Sequence, residues 1–484
     1  MTQEKHKDSG KGRHRNERIR HWDRVSLHKS KPRRPGAYYH RLLQRYYKFF
    51  IPSGLKVLEL GCGQGDLLAA LKPSMGVGVD FSKKMINHAV HKHSQLHFVV
   101  ADVHDIAFKQ KFDVIILSDL VNDAWDVQYL FNRIRDLVHP ETRIVINFFN
   151  NLWRIPLSII KWMKLGADVL DQNWFSPHDI YNLLNLSGYE VIHRRIAVLF
   201  PIQIPLLSSL LNRFIVHFPP FNLFALVNFV ISRPHPYEIK DTEERVPSVS
   251  VIVPARNEAG NIKSIFQGVP DLGRFTELVF VEGHSKDNTY ETIEQTMKAF
   301  PERKCVLFRQ PGKGKGDAVR LGFEKAQGEI LMILDADLTV PPEDLNRFFE
   351  ILTSGKGEFI NGVRLVYPLE DEAMRFFNIL GNKFFSMAFS WILGQPIKDT
   401  LCGTKVLWKK DYMAVATNRS YFGDFDPFGD FDLLFGAAKL NLKITEIPVR
   451  YRSRMYGQTN IDRWRHGLLL LRMVLFAAKR IKFI

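Results

Sequence analysis

The chain has 484 residues, of which 45% are hydrophobic and 24% charged, and its formal net charge is +16. This length and composition support full hydrophobic cores in two or three domains and exclude an intrinsically disordered protein. The three cysteines lie far apart without metal or redox spacing, so we expect no disulfide framework and a reducing compartment. The first thirty residues are polar and have no apolar core, so we expect no signal peptide.

The positive charge is concentrated at the two ends of the chain. Residues 1–34 hold 12 Lys or Arg and 4 Asp or Glu, and residues 443–484 hold 10 and 2. Such ends suit an anionic surface, or they are a solubilising tail and a solvated helix face. We predict a disordered basic arm over 1–35, and no nucleic-acid partner, because no recognition motif accompanies the charge.

Residues 36–195 alternate short apolar segments with helical ones. The apolar segments are rich in β-branched residues, as expected for strands of a sheet that is covered on both faces. Helices between successive strands imply βαβ units and a parallel sheet, so we predict an α/β Rossmann-like domain. The predicted strands are 57–60, 76–80, 96–102, 112–119 and 143–149.

The segment VLELGCGQGDLL (57–68) predicts a strand, a glycine-rich turn and the start of a helix. Gly61 and Gly63 permit a tight turn and let a ligand approach the backbone. Asp80 ends the second strand, where a carboxylate can accept hydrogen bonds from both ribose hydroxyls, and Asp102 ends the third, where it can face an adenine amino group.

This order of features resembles the class I S-adenosylmethionine-dependent methyltransferases over about 55–150. Two alternatives remain open, a Rossmann-like domain that binds another nucleotide or no ligand, and a domain that binds the cofactor without turnover. The residues that the resemblance implies for S-adenosyl-L-methionine binding are Glu59, Gly61, Gly63, Asp80 and Asp102. The residues after the fourth strand, which suit either acceptor alignment or helix capping, are Asp119, Asn122 and Asp123.

Residues 196–246 form an apolar segment and a polar linker. Residues 196–212 and 214–232 contain no Asp, Glu, Lys or Arg, but four prolines interrupt them and Arg213 separates them. We therefore predict a buried subdomain or a membrane-surface element here rather than membrane spans.

A second α/β alternation, predicted as a domain over 247–462, follows the linker. Its predicted strands are 250–255, 278–283, 305–310 and 329–337. Backbone groups at Pro254 and Ala255 can hydrogen-bond a nucleotide base, and Asn257 opens a helix with Glu258 beside it. A second strand end carries Glu282 and Asp287, whose carboxylates can hold a ribose or the edge of a base.

Two further motifs predict a site for an anionic donor. QPGKGKGDAVR (310–320) places Lys315 and free backbone amides before a helix that begins near Asp317. Asp335 and Asp337 leave an apolar strand in a D-x-D arrangement, where two close carboxylates repel each other unless a cation lies between them. Hard oxygen ligands indicate Mg²⁺ or Mn²⁺, which also takes phosphate oxygens as ligands.

These motifs resemble the inverting family 2 glycosyltransferases with the GT-A fold, and among them the dolichyl- and polyprenyl-phosphate hexosyltransferases. The resemblance implies that Asp335 and Asp337 hold a metal and a diphosphate, and that Arg364 and Arg454 bind donor or acceptor phosphate. Asp430 or Asp432 lies where relatives with hydroxyl acceptors have a general base, which a lipid phosphate does not require. Many relatives have Asp where this chain has Glu282.

Two aromatic or basic segments predict contact with a membrane. Residues 376–397 are aromatic and apolar, and residues 463–484 mix cations with Leu and Phe as an interfacial helix does; core helices are the alternative. We therefore expect a peripheral protein on the cytoplasmic face of the membrane that transfers a hexose from a UDP- or GDP-sugar to a polyprenyl-phosphate-type lipid. The alternative is transfer to a glycan or protein hydroxyl, with an amino-terminal half that only binds a cofactor.

Overall fold

The computed structural model describes residues 2–28, 36–163, 170–236, 246–364, 366–367, 376–421, 429–452, 454, 456 and 463–484. The chain divides into two compact units. The first unit comprises Met1–Lys240 with Phe483–Ile484, and the second comprises Asp241–Lys482.

The first unit is an α/β unit with one seven-stranded sheet. Its helices are α1 (Thr2–His28), α2 (Ala37–Phe50), α3 (Asp66–Ala70), α4 (Lys83–Lys92), α5 (Val127–Arg133), α6 (Arg154–Trp162), α7 (Pro177–Leu186) and α8 (Leu207–Arg213). Its strands are β1 (Lys56–Leu60), β2 (Met75–Asp80), β3 (His97–Val100), β4 (Val114–Ser118), β5 (Arg143–Phe149), β6 (Tyr189–Ala197) and β7 (Val227–Pro234).

The strand order of the first sheet is β3-β2-β1-β4-β5-β7-β6. The strands from β3 to β5 are parallel, and β7 runs antiparallel to both β5 and β6. All five predicted strands are present, but the sheet is mixed and not purely parallel. Because β6 is antiparallel to β7, it ends at the same edge as β1, β2, β4 and β5, which we call the first carboxyl edge.

The prediction of a disordered arm is wrong for residues 2–28, which form α1. Side chains of α1 have fixed partners elsewhere in the unit, which a free arm would lack. Arg18 Nε donates to Asp123 Oδ1 at 2.7 Å, and Asp23 Oδ1 accepts a hydrogen bond from Ser82 Oγ at 2.6 Å. Residues 29–35 of the predicted arm lie outside the described residues.

The segment predicted as a connector, 196–246, belongs in large part to the first sheet. It begins in β6 and continues through β7, where every residue is buried. The apolar residues of β7 therefore reflect a strand between two others, which corrects the connector assignment for this part. Residues 198–226 join the two strands as α8 with short 3-10 turns, and many of their apolar side chains are exposed.

The second unit has a seven-stranded sheet of its own. Its helices are α9 (Ile262–Gly268), α10 (Thr289–Ala299), α11 (Lys315–Lys325), α12 (Leu345–Thr353), α13 (Phe376–Leu393), α14 (Lys409–Thr417), α15 (Asp430–Lys439) and α16 (Arg463–Ala477). Its strands are β8 (Val249–Ala255), β9 (Thr276–Glu282), β10 (Lys304–Arg309), β11 (Ile330–Ile333), β12 (Phe359–Val363), β13 (Lys405–Trp408) and β14 (Ile444–Pro448).

The strand order of the second sheet is β10-β9-β8-β11-β13-β12-β14. Only β13 runs antiparallel to its neighbours, because β12 and β14 pair in parallel. The start of β13 therefore lies at the edge where the other six strands end, which we call the second carboxyl edge. The four predicted strands are present, and β11 is the shortest of them, since it ends at Ile333.

The two segments predicted to contact a membrane are helical where they are described. α13 and α16 pack against each other, and a turn of π-helix over Ala478–Lys482 follows α16. Within the described ranges, no helix combines the length and hydropathy needed to cross a bilayer.

Candidate functional sites

The glycine-rich turn after β1 lies at the first carboxyl edge. Gly61 and Gly63 both have positive φ, 73° and 54°, which a residue with a side chain rarely adopts. Asp80, at the end of β2, accepts from the Gly63 backbone N–H at 2.9 Å and from the Ser82 N–H at 2.8 Å. Glu59 is buried and accepts from the Leu68 N–H at 3.1 Å, so it also holds the start of α3.

Asp102 lies at the same edge and is held in its ionised form. His104 donates to Asp102 Oδ1 through its backbone N–H at 3.0 Å, and its ring Nδ1 is 2.7 Å from the same oxygen. Arg15 Nε is 3.7 Å from Oδ2. Burial alone would raise the pKa of Asp102, but the His104 hydrogen bonds and the Arg15 charge lower it to about 2.

Helix α1 lines a cleft of about 380 Å³ beside Asp102. The lining also includes Trp125, whose ring lies 5.1 Å from the His14 ring of α1 in an edge-on arrangement. Arg18 is 6% exposed, and its Nη2 also donates to the Asp171 carbonyl at 2.6 Å. A helix that sequence analysis missed therefore forms part of the wall of the predicted cofactor site.

The three polar residues after β4 have different surroundings. Asp119 Oδ1 accepts from Tyr39 Oη at 2.8 Å and from Asn147 Nδ2 at 2.5 Å, and burial, together with the Asp119 charge, raises the pKa of Tyr39. Asn122 is buried and bonds to backbone groups, so it is structural. Asp123 is engaged by Arg18 and by Trp22 Nε1.

The D-x-D carboxylates follow β11 at the second carboxyl edge, and each has a cationic partner. Lys315 Nζ is 2.6 Å from Asp335 Oδ1, and Arg454 Nη2 is 2.7 Å from Asp337 Oδ2. Thr339 donates through its hydroxyl to Asp337 Oδ1 at 2.8 Å. The two acids and their cations thus form one charged cluster, which we call the acid–cation cluster.

Glu258 joins this cluster through Arg454, whose Nη1 lies 3.2 Å from Glu258 Oε1. Asn261 Nδ2 donates to the other carboxylate oxygen at 2.8 Å. Burial raises the pKa of Glu258 to about 7, with Arg454 opposing and the Asp337 charge reinforcing the shift. The predicted nucleotide-site acid is therefore poised to titrate near neutral pH.

Several predicted nucleotide-binding residues hold the loops after β8 and β9. Asn257 has a φ of 57° and accepts from the Lys286 N–H at 2.7 Å. Glu282 accepts from the Ser285 N–H at 2.5 Å. Asp287 Oδ1 accepts from the Thr289 N–H at 3.1 Å, as a helix cap does. The residues of β8 at this edge are Pro254, paired with Val281, and Ala255, whose carbonyl accepts from Gly283.

The glycine–lysine loop brings Lys315 to the cluster at the start of α11. Asp317 Oδ2 accepts from the Gly312 N–H at 2.9 Å and closes the loop. The charge of Asp335 raises the pKa of Lys315 despite burial, which by itself would lower it. Gly403 lies against this pair, and a Cβ there would come within 2.0 Å of Asp335 Oδ2.

Two predicted phosphate or base residues have partners that sequence analysis did not assign. Arg364 forms a two-pronged pair with buried Asp399, at 2.7 Å from Nε and 2.8 Å from Nη2. Asp430 Oδ1 lies 3.0 Å from Nζ of Lys405, which is fully buried. The segment DTLCGTK (399–405) supplies Asp399, Gly403 and Lys405 to this edge.

The acid–cation cluster fits a divalent cation only with help from a substrate. Among the residues that the structure describes, no three His, Cys, Asp or Glu side chains are grouped to hold a metal. Mg²⁺ and similar ions are commonly held by one or two carboxylates together with substrate phosphates. The two D-x-D carboxylates are consistent with that donor set, and the missing side chain of Gly403 lets the backbone lie close to Asp335.

Comparisons with protein families agree with the order of the two units. Residues 51–188 match a model described as a methyltransferase domain, and residues 250–404 match Glycosyl transferase family 2. The chain therefore carries a methyltransferase domain followed by a family 2 glycosyltransferase domain, which confirms the prediction from the motifs. The fold class, two α/β units in this order, is confirmed as well.

Similar proteins were found for each half of the chain. Glycosyltransferase AglJ of Haloferax volcanii is 29% identical over 46% of this chain and 68% of its own length. The dolichol-phosphate mannosyltransferase of Pyrococcus furiosus is 29% identical over 46% of this chain and 64% of its own length, slightly less than two thirds. Magnesium protoporphyrin IX methyltransferase from Synechocystis with bound SAH is 16% identical, with a TM-score of 0.29 over 41% of this chain and 81% of that one.

Proposed function

We propose, for a chain that joins a methyltransferase domain to a family 2 glycosyltransferase domain, that the second unit transfers a hexose from a UDP- or GDP-sugar to a polyprenyl-phosphate-type lipid. Transfer is metal-dependent and inverts the anomeric carbon. The first unit binds S-adenosyl-L-methionine and methylates an acceptor. The observation that carries the glycosyl-transfer proposal is the acid–cation cluster at the second carboxyl edge, where Lys315, Asp335, Asp337 and Arg454 meet.

Each member of the cluster has a role in the proposed reaction. Asp335 and Asp337 would hold the metal, which when bound offsets the charge that develops on the departing diphosphate. Lys315 and Arg454 place positive charge beside the same acids and would bind the diphosphate oxygens. Glu258 holds Arg454 from its other side and thereby orients its guanidinium group.

The residues of the two neighbouring loops would bind the nucleoside. Pro254, Ala255 and Asn257 lie at the end of β8, and Glu282 and Asp287 follow along the end of β9. The side chains of Asn257, Glu282 and Asp287 already hold the backbone of both loops through hydrogen bonds. We therefore assign these three residues to shaping the nucleoside site. Arg364, held by Asp399, would position the acid–cation cluster rather than bind phosphate itself.

A lipid acceptor is supported by an exposed apolar face on the second unit. Phe384, Met387 and Trp391 of α13 are 52%, 67% and 36% exposed, at the spacing of one helix face. Leu468, Leu471 and Leu475 repeat this on α16, at 54%, 42% and 65%. Exposed Arg472, Lys479 and Arg480 follow at the carboxyl end, as in helices that lie in the interface of an anionic membrane.

The surroundings of Asp430 bear on the acceptor. Its Oδ1 is engaged by buried Lys405, so this oxygen is already committed to an ion pair. A lipid phosphate is ionised near neutral pH and needs no base, which agrees with that arrangement. A glycan or protein hydroxyl, the alternative acceptor, requires a group that removes its proton.

One transfer assay separates the two acceptor classes. UDP- and GDP-hexoses are offered with Mn²⁺ to polyprenyl phosphate in vesicles and, separately, to soluble glycans and peptides. We expect transfer to the lipid phosphate, and we expect Asp430→Asn to retain it within about tenfold because no proton is removed. Transfer to the soluble acceptors, abolished in Asp430→Asn, would replace the proposal with the hydroxyl alternative.

Cofactor binding by the first unit is carried by the turn after β1 and by Asp80. Gly61 and Gly63 adopt positive φ in this turn, and Asp80, Glu59 and Asp102 supply carboxylates along the same edge. We expect Asp80→Ala to weaken S-adenosyl-L-methionine binding at least about tenfold, because charged hydrogen bonds contribute about 1.5–3 kcal/mol. Calorimetry measures this, with Asp136→Ala, which alters an exposed aspartate of the first unit, as the control.

A further inference from the structure

We propose that the first unit has its own membrane-docking surface, which seats on an anionic bilayer and presents a lipid-anchored methyl acceptor to the first carboxyl edge. The part on the acceptor rests on the methyltransferase role proposed above, whereas the docking surface stands on geometry alone. We call this surface the apolar rim; it consists of the exposed apolar residues of 151–163 and 198–226.

Helix α6 supplies one half of the apolar rim. Ile155, Ile159 and Trp162 are 70%, 50% and 83% exposed, and Met163 is 52% exposed. Spacings of three and four residues place the first three on one face of the helix. Packing within the unit does not explain why a tryptophan and two isoleucines lie exposed on one helix face, and such apolar patches usually mark an interaction surface.

The chain between β6 and β7 supplies the other half. Leu206 is 88% exposed and Ile202 is 62% exposed before α8, and Phe221, Leu223 and Phe224 are 48%, 59% and 56% exposed after it. Isolated exposed apolar residues are ordinary on protein surfaces, but this concentration within one short segment is not.

Hydrogen bonds join the two halves into one surface. Asn150 Nδ2, just before α6, donates to the carbonyls of Leu223 at 2.9 Å and Ala225 at 3.0 Å. Trp153 Nε1 donates to the carbonyl of Phe224 at 2.9 Å. The start of α6 and the Phe221–Phe224 turn therefore lie side by side.

The charge of the apolar rim favours a membrane over a protein partner. The two parts of the rim, 151–163 and 198–226, contain Arg154, Lys161 and Arg213 and no Asp or Glu. Arg154 is among the exposed ones, beside Ile155. An apolar surface with a tryptophan, several phenylalanines, and positive but no negative charge has the chemistry of an interfacial segment on anionic lipid.

The apolar rim lies at the edge where the cofactor site lies. α6 follows the end of β5, and 198–226 follows the end of β6, and both strands end at the first carboxyl edge. Asn147 of β5 donates to Asp119, and Arg41 of α2 donates to Gln203 of the rim segment at 2.6 Å. A molecule held in the membrane under the rim would thus meet the unit beside its methyl-transfer site.

The test is vesicle flotation of the full chain. Because the second unit is expected to bind membranes as well, Leu468, Leu471 and Leu475 are first replaced by Ser to weaken that contact. The rim variant carries Ile155→Ser and Leu206→Ser. It is compared with a control pair, Val90→Ser and Leu186→Ser. The control side chains are 47% and 60% exposed and lie away from the rim. Leu186 precedes β6 and thus lies at the opposite end of that strand from the rim segment.

We expect the rim variant to lose at least about tenfold in partition onto vesicles of phosphatidylcholine and phosphatidylglycerol, and the control pair to bind like its parent. Equal binding by both pairs would overturn the docking surface. A dimer of the wild-type chain that is lost in the rim variant, as measured by light scattering, would also overturn it, because the rim would then bind a second copy of the chain. Thermal unfolding checks that each variant is folded.

The acceptor is tested with labelled S-adenosyl-L-methionine and a membrane lipid extract in the same vesicles. We expect label in the lipid phase with the parent and at least about tenfold less with the rim variant, at equal S-adenosyl-L-methionine affinity. Label in water-soluble acceptors only would overturn the lipid acceptor. Failure of the wild-type chain to bind S-adenosyl-L-methionine at all would instead contradict the proposed methyltransferase function and leave the flotation result standing.

Discussion

Lys315 Nζ lies 2.6 Å from Asp335 Oδ1, so the first carboxylate of the D-x-D motif is paired with a lysine that follows the glycine-rich loop. Burial would raise the pKa of Asp335, but the Lys315 charge and hydrogen bond hold it below its ordinary value. The pair keeps the carboxylate ionised at neutral pH. It also places a cation beside the oxygens that would meet a diphosphate.

Replacing Lys315 by Ala should lower kcat/KM for the nucleotide sugar by about a hundredfold or more, the usual effect of removing one group that stabilises developing charge. The acid limb of the pH–rate profile should also move to higher pH, because Asp335 loses the charge that lowers its pKa. Lys313→Ala is the matched control, since this exposed lysine belongs to the same loop. Equal activity of the two variants would remove Lys315 from the site.

Glu258 should make the stability of the second unit depend on pH. Its pKa is raised from 4.5 to about 7, so between these values the folded chain binds a proton that the unfolded chain has released. The part of the unfolding free energy that this bound proton contributes is therefore lost as pH rises from about 4.5 to about 7. Above about pH 7 the contribution of Glu258 no longer changes. Glu258→Gln carries no titratable group and should not show this loss.

The measurement is the melting temperature of wild type and Glu258→Gln at several pH values, without added metal. Between about pH 5 and about pH 7, the free energy of unfolding of Glu258→Gln should rise relative to that of the wild type, by at most about 3 kcal/mol. Glu294→Gln, an exposed glutamate of α10, should follow the wild type throughout. A constant difference between Glu258→Gln and wild type would show that Glu258 does not titrate in this range.

Arg18 should control how tightly the first unit holds its cofactor. It is nearly buried and ties α1 to Asp123 and to the Asp171 carbonyl, and breaking such a pair costs about 3 kcal/mol or more. Arg18→Ala should therefore release α1 from the cleft and weaken S-adenosyl-L-methionine binding about tenfold.

Calorimetry measures the affinity, and hydrogen exchange of residues 10–28 measures the release of α1. Arg20→Ala, an exposed arginine of the same helix, should change neither quantity. Unchanged or tighter binding by Arg18→Ala, together with faster exchange, would show that α1 does not help to retain the cofactor.

Local patterns were enough to predict the strands that are apolar on both faces. β5 matches the predicted range 143–149 residue by residue, because its interior position favours apolar residues on both faces. β13 was missed because it has only four residues and begins with a lysine. The residues of β7 were recognised as apolar but not as a strand, since the prolines at 219 and 220 and the absence of alternation favoured an irregular segment.

The pairings within the sites depend on contacts between residues far apart in sequence. Arg18 and Asp123 are 105 residues apart, and nothing in a basic segment of 1–35 indicates which acid it would meet. Lys405 and Asp430 are separated by 25 residues. The sequence places each of them in a motif, but it does not predict that the two side chains form an ion pair. Sequence patterns thus located the two edges, while the partner of each charged residue came from the fold.

Transfer of labelled hexose by wild type and Asp337→Ala, with Mn²⁺ and polyprenyl-phosphate vesicles, tests the central claim most directly. Asp337 is the acid that Arg454 and Thr339 hold in place at the second carboxyl edge. We predict that the variant stays folded, as judged by thermal unfolding, and loses at least about a hundredfold in rate. Equal rates for the two proteins would contradict a donor site built on the acid–cation cluster.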